Sequence, residues 1–116
     1  MAITEAYAGT WTSTLTETTL NTTTPEVADG IYQVFLDVDA LVLGDTLEIR
    51  VKEKVISTST QRTIFTSHVG PADPSADDNC WVSPSLILMH GWDVTLDHVG
   101  LGAVGKLIPW SIRKVA

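Results

Sequence analysis

The chain has 116 residues and a formal net charge of −7, from 14 acidic and seven basic side chains. This length fits one domain, residues 1–116, whose core needs no disulfide or metal to fold. The acidic total opposes general binding to phosphate backbones, and no run reaches the roughly 20 apolar residues of a membrane span, so we expect no nucleic-acid partner, no membrane and no cofactor. The single Cys80 is compatible with synthesis in a reducing cytoplasm, and we expect it to be a buried, inert thiol.

Residues 1–10 carry no core signal of their own and are predicted to form an N-terminal arm that extends onto a neighbouring subunit. Ile3 and Tyr7 are the candidate contacts in this arm, and deleting the arm is expected to leave folding intact. An edge strand or a short frayed end is the alternative. Threonine-rich residues 9–20 then predict a first strand, because threonine favours strands and tolerates water.

The second strand is predicted at residues 30–38 after a loop that ends in Asp-Gly. Apolar side chains occur at alternate positions on one face, and Ile31 adds apolar weight to the other, so we expect both faces to be covered. Residues 37–45 are too apolar and too long for a tight hairpin turn. They predict an arch between two sheets, with Leu41 and Leu43 packed beneath it.

Residues 46–56 read TLEIRVKEKVI and alternate with period two, which indicates a strand with one dry and one wet face. The dry face holds Leu47, Ile49, Val51 and Val55, and the wet face holds Glu48, Arg50, Lys52 and Lys54. Because positive charge is concentrated there in an acidic chain, Arg50, Lys52 and Lys54 are candidate interface residues. A merely solvated face is the alternative.

The second half of the chain continues the strand pattern around one long loop, residues 70–80, which is rich in proline and aspartate. Seven or eight short strands separated by turn signals predict an all-β, antiparallel two-sheet β-sandwich that is jelly-roll-like, with a small closed barrel as the alternative. The remaining strands are predicted at residues 62–69, 85–90, 92–98 and 107–115.

Side chains suited to catalysis or metal binding are few. Asp93 and His98 are an odd number of positions apart on one predicted strand and therefore point to opposite faces, so we expect no metal site with His90 there. The aspartates of the arch and of the long loop lack the spacing of a calcium loop. They are Asp37, Asp39 and Asp45 in the arch, and Asp73, Asp77 and Asp78 in the long loop. The sequence also contains no nucleophile elbow and no phosphate loop, so we expect no enzymatic activity.

Four tryptophans are many for this length. Trp92 and Trp110 are in register with apolar neighbours on their strands, which favours the core. Trp11 and Trp81 lie nearer irregular segments and are the better candidates for exposure, either in a subunit contact or as rings that stack on sugars.

Four stretches together resemble small structural proteins encoded among the virion genes of tailed bacteriophages: GIYQVFLDVDALVLGDTLEIRVKEKV, QRTIFTS, SLILMHGWDVTL and WSIRKVA. The resemblance implies a capsid decoration or cement protein, often a trimeric β-sandwich or β-barrel, that binds the outside of the assembled head. Its partners would be the major capsid protein and copies of itself, as a homotrimer. It would be made in the bacterial host cytoplasm and reside on the virion surface. A tail or neck component, or a tail-borne carbohydrate-binding module, is the alternative.

Overall fold

The computed structural model describes residues 2–70, 79–100 and 103–115, and over these ranges the protein is all-β with two antiparallel sheets. The prediction of an all-β fold with two antiparallel sheets is thereby confirmed. The described segments contain no helix long and apolar enough to cross a membrane. The described ranges contain nine strands: β1 (Ile3–Thr12), β2 (Thr18–Thr19), β3 (Gly30–Asp37), β4 (Leu47–Glu53), β5 (Arg62–Val69), β6 (Cys80–Val82), β7 (Leu86–Leu88), β8 (Asp93–His98) and β9 (Leu107–Val115).

One set of strand pairs is nested along the sequence. The hairpin β4–β5 is its innermost pair, and the members of each further pair in the set lie on either side of it in chain order. The five-stranded sheet has the order β1-β9-β3-β6, with β7 also paired to β3, and the four-stranded sheet has the order β2-β8-β4-β5. Strands β6 and β7 pair with residues 35–37 and 30–32 of β3, so these two short strands together occupy one position in the sheet. The arch after β3 carries the chain from the five-stranded sheet to the other, as predicted.

The core lies between the sheets and is built from alternate residues of the central strands. Trp92 is fully buried there, with its ring 4.6 Å from that of Tyr32, while Trp110 is half-buried against the same cluster. The core prediction is therefore confirmed for Trp92 and met only in part by Trp110. The central strands contribute Val34, Leu36, Ile49, Val51, Val94, Leu96, Ile108 and Ile112.

The N-terminal segment is not a free arm. Strand β1 pairs with β9 along its whole length, from Ile3 opposite Val115 to Thr12 opposite Leu107, with one bulge between Glu5 and Tyr7. Trp11 points inward and is only 6% exposed, so its predicted exposure is wrong. Because deletion of residues 1–10 would remove most of a paired strand, we expect it to destabilise the fold rather than leave folding intact.

Three further expectations differ from the structure. Leu43 does not pack beneath the arch but is 95% exposed at its apex, whereas Leu41 is buried as predicted. Val55 is exposed because β4 ends at Glu53 and the chain leaves the sheet before reaching it. Cys80 begins β6 with its side chain exposed rather than buried. Asp73, Asp77 and Asp78 of the long loop lie outside the described residues.

Candidate functional site

The outer face of the four-stranded sheet carries the predicted wet face of β4, and its charges are arranged in rows across strands. Glu48 lies opposite Asp97 of β8 on one side and His68 of β5 on the other. His68 Nε2 is 3.0 Å from Glu48 Oε2, and Arg50 forms an ion pair with the other carboxylate oxygen of Glu48. Burial and the nearby Glu48 charge raise the pKa of Asp97. This face therefore has its charges largely paired within the chain.

Glu17, from the segment between β1 and β2, lies over the same face and binds two of its basic side chains. Arg50 Nη1 donates to Glu17 Oε2 at 2.9 Å, and Lys52 Nζ donates to Oε1 at 2.8 Å. Thr95 Oγ1 adds a third hydrogen bond, at 2.7 Å. Burial alone would raise the pKa of Glu17, but the hydrogen bonds from Lys52, Thr95 and Arg50 outweigh it and lower the pKa to about 2.

This arrangement changes the physical basis of the predicted docking role for β4. Arg50 and Lys52 are not a free basic patch, because a carboxylate of the same chain already neutralises them. Lys54 lies past the end of β4, half-buried beside a shallow cavity of about 230 Å³ that Pro25 and Met89 also line. Charge reversal at Lys52 would place its carboxylate beside that of Glu17 and is expected to destabilise the fold.

Replacement of Glu17 tests this ion-pair cluster. We expect Glu17→Gln to lower the free energy of unfolding by about 1–2 kcal/mol at neutral pH, after allowing for solvent screening of a partly exposed group. Because the folded-state pKa is depressed to about 2, the stabilisation is present above the unfolded-state pKa and disappears as pH falls through the interval down to about 2. Urea denaturation of the wild type and of Glu17→Gln at several pH values across this interval measures the loss of stabilisation. Exposed Asp29→Asn is the matched control, and a Glu17→Gln effect independent of pH would contradict the assignment.

A second charged group is buried at one end of the sandwich. Asp45 and His98 are both fully enclosed, with His98 Nε2 3.2 Å from Asp45 Oδ1. The Val42 amide donates to Asp45 Oδ2 at 2.8 Å, and Lys106 Nζ approaches within 3.9 Å. Burial alone would raise the pKa of Asp45, but the Val42 amide, His98 and Lys106 outweigh it and keep the pKa below its usual range. Spacing along the sequence could not reveal this pair, since 53 residues separate its members.

The buried pair holds together loops that carry exposed apolar side chains. Backbone hydrogen bonds join these loops, from Val99 N to Thr46 O at 2.9 Å and from His98 N to Thr14 O at 2.8 Å. Gly100 is required there, since a Cβ at this position would lie 2.5 Å from Gly44 O and Thr46 N. The exposed apolar side chains at this end are Leu15, Val42, Leu43, Val99, Val104 and Leu107.

The outer face of the five-stranded sheet contrasts with that of the other sheet, because it presents a row of apolar side chains to solvent. Ile3 of β1 lies opposite Val115 of β9, which lies opposite Ile31 of β3, which lies opposite Ile87 of β7. We call these four residues the apolar row. Ile3 is 69% exposed and Ile87 is 79% exposed, so the row extends across four strands without a cover among the described residues.

Beside the apolar row, the same face holds a shallow depression of about 200 Å³. The guanidinium of Arg113 stacks over the Phe35 ring at 3.7 Å, and Arg113 Nε donates to Ser111 Oγ, which in turn donates to Glu5. Exposed Cys80 lines the same depression. The face therefore combines apolar side chains with charged groups, among which Arg113 and Glu5 are held by hydrogen bonds to Ser111.

The predicted interface residues do not come together as one site. Ile3 belongs to the apolar row, whereas Tyr7 turns inward and donates a hydrogen bond to Glu26. Trp11 is in the core, Trp81 is half-buried, and Arg50 and Lys52 are bound by Glu17 on the opposite sheet. Three members of the apolar row were not predicted as interface residues: Ile31, Ile87 and Val115. The sequence carried a signal for Ile31, as an apolar side chain on the second face of the predicted strand at residues 30–38, while strand pairing places the other two beside it.

The aspartates of the arch are held by protein groups. Asp45 is inside the protein, Asp37 accepts the Asp39 amide at 3.0 Å, and Asp39 accepts the side-chain amide of Asn79. On β8, Asp93 and His98 point to opposite faces as predicted, since Asp93 binds Asn21 and Gln61 outside while His98 is enclosed. Within the described ranges, no three His, Cys, Asp or Glu side chains converge as metal ligands.

Comparison with protein-family models, curated proteins and solved structures found no match.

Proposed function

We propose that this chain is a non-enzymatic structural protein of a tailed-bacteriophage virion, a decoration or cement protein that binds the outer surface of the head and stabilises the shell. Its partners are the major capsid protein and copies of itself. It is made in the host cytoplasm and resides on the capsid surface. The resemblance of the strand sequences supports the virion assignment, and the apolar row supports a role in binding another protein surface.

The apolar row is the observation that carries the proposal. Strand β3 carries apolar side chains on both faces, as a strand covered on both sides would, yet the residues that the structure describes fully cover only one of them. Tyr32, Val34 and Leu36 are buried against the other sheet, while Ile31 is 40% exposed in the middle of the row. An exposed apolar stretch of this kind marks a protein–protein contact. The shell surface supplies the missing cover.

We also propose that the sandwich is a jelly roll, the architecture common among viral capsid proteins. The nested pairing supports this: β4 with β5, β3 with β6 and β7, β2 with β8, and β1 with β9. When β6 and β7 are counted as one interrupted strand, each sheet has four strands and successive pairs alternate between sheets.

Particle binding tests the proposal. Particles assembled without this protein should bind the purified chain and co-sediment with it, and should then withstand higher temperature and osmotic stress. Ile31→Lys and Ile87→Lys place charge in the apolar row and are expected to weaken particle binding about tenfold or more, with stability changes of only about 0.5 kcal/mol. Val55→Lys, at an exposed apolar position outside the row, is the matched control.

Two outcomes would contradict the proposal. One is unchanged binding by both row variants, which would remove the face from the interface. The other is a copy number in purified virions too low for a repeating shell site, which would place the chain in the neck or tail. No observation favours the carbohydrate-binding alternative, since two of the four tryptophans are buried and the other two are half-buried.

A further inference from the structure

The free edge of β1 is the least protected strand edge in the described part of the protein. At ten residues β1 is the longest strand, and β9 is its only pairing partner among the described residues. Native sheets protect their edges with short strands, basic side chains or proline, because unpaired N–H and C=O groups recruit other strands. Strand β1 contains no lysine, arginine or proline, and its one charge, Glu5, lies at the bulge.

The other sheet edges show the protection that β1 lacks. Strand β2 has only two residues, and β6 and β7 have three each, separated by a segment that contains Pro84. Strand β5 is long but carries Arg62 and His68. The contrast singles out β1, and in particular residues 7–12, a regular uncharged segment that follows the bulge.

The backbone groups that face outward on this segment can be assigned. Ser13, directly after β1, donates its N–H to Lys106 O at 2.8 Å and therefore faces β9. Because strand residues alternately direct both backbone polar groups to one side and then the other, the outward groups belong to Thr12, Thr10 and Ala8. These three residues carry the edge that is open to another strand.

We propose that this edge pairs antiparallel with β1 of a second copy of the chain, with Thr10 on a two-fold axis. In that register Ala8 of each copy faces Thr12 of the other, so that about six backbone hydrogen bonds form and neither bulge enters the pairing. A second copy fits because the segment is uncharged and so brings no like charges into contact. An identical edge can pair with itself in this way only about a two-fold axis, so the unit is a dimer rather than the homotrimer that the resemblance implies.

The pairing would also extend the binding face. A two-fold axis perpendicular to a continuous sheet leaves the outer faces of both copies on the same side, so the dimer presents two apolar rows together. Two linked rows bind a repeating surface more tightly than one row does. The inference itself does not rest on the proposed function, because dimer formation is measured on the isolated chain.

Sedimentation of the purified chain tests the pairing. We expect a concentration-dependent dimer, and we expect Thr10→Pro, which removes an outward N–H, and Thr10→Lys, which places two lysines opposite each other, to raise the dimer dissociation constant about tenfold or more. Thr60→Lys, which adds the same charge at an exposed position next to the other long edge, should leave the dimer unchanged. Far-ultraviolet circular dichroism of each variant checks that the fold is retained.

Salt dependence provides a second readout. Two chains of charge −7 repel each other, so dimerisation should strengthen as salt rises from about 0.05 M to about 0.5 M. An interface made by the basic residues of β4 would weaken instead. A wild-type chain that stays monomeric, a trimer, or a dimer that survives in folded Thr10→Lys would overturn the inference, and each result leaves particle binding to be judged separately.

Discussion

Replacement of Trp92 by alanine is expected to reduce the free energy of unfolding by about 3–5 kcal/mol, a large share of the stability of a domain of this size. The ring is fully buried, 4.6 Å from the Tyr32 ring and edge-on to Tyr7 at 6.4 Å. Its Nε1 donates to Ala28 O at 3.0 Å, so the side chain joins the core to the loop before β3. Denaturant unfolding followed by circular dichroism measures the loss.

Two further variants separate the contributions of this side chain. Trp92→Phe keeps a smaller aromatic ring and removes one of the two hydrogen bonds to the Ala28 carbonyl, which still accepts the Tyr32 hydroxyl at 2.8 Å, and is expected to lose about 1–3 kcal/mol. Trp81→Ala, at a half-buried tryptophan on β6, is the matched control and should lose less than Trp92→Ala. A Trp92→Ala loss no larger than the Trp81→Ala loss would mean that Trp92 does not anchor the core.

Replacement of Asp45 by alanine is expected to have an effect of similar size, about 3–5 kcal/mol at neutral pH. The change leaves the Val42 amide and the buried His98 ring without their shared acceptor. Asp45→Asn retains an oxygen for the Val42 amide and should lose less. Thermal and denaturant unfolding of the two variants measures the difference.

The pH dependence gives a signature that packing alone would not produce. Because the folded-state pKa of Asp45 is lowered, its charge stabilises the fold above the unfolded-state pKa, and that contribution is lost as pH falls through the folded-state value. The difference in free energy of unfolding between wild type and Asp45→Asn should therefore become smaller as the pH falls. For Asp29→Ala, at an exposed position, this difference from wild type should be close to zero. A constant gap for Asp45→Asn would indicate that its charge is not what stabilises the loops.

The two sheet faces explain why the apolar row rather than the basic strand carries the proposed function. On the four-stranded sheet, Glu17 and Glu48 satisfy the basic side chains within the chain, and a partner would have to break those ion pairs to use them. On the five-stranded sheet, burial of the apolar row by a partner breaks no interaction and removes apolar area from water, at about 25 cal/mol per Å². A partner would therefore meet a smaller energetic cost on this face than on the four-stranded sheet.

Much of the fold followed from periodicity along the chain. The alternation of residues 46–56 correctly predicted which side chains of β4 face the core, up to the end of the strand at Glu53, and the same reasoning located β3, β5, β8 and β9. These predictions succeed because successive side chains of a strand point to opposite faces, so the direction of each depends only on whether its position along the strand is odd or even. The opposite facing of Asp93 and His98 was predicted for the same reason.

Contacts between distant residues were beyond that reasoning. Glu17 meets Lys52 across 35 positions, Asp45 meets His98 across 53, and neither distance follows from parity. The burial of Trp11 was missed because its neighbours are polar threonines, and its environment comes from pairing with β9 and from the opposite sheet. The exposure of Leu43 was missed because an apolar residue in an arch can point to either side.

The sequence by itself determined an all-β sandwich, the core face of most strands and an acidic chain with a locally basic strand, because these properties depend on residue type and period alone. Only the tertiary structure decided that the basic strand is neutralised by Glu17, that β1 has no partner besides β9 among the described residues, and that Ile3, Val115, Ile31 and Ile87 form one row on an outer face. The physical reason is that sheet order and register bring together residues more than a hundred positions apart, and an interface depends on that neighbourhood.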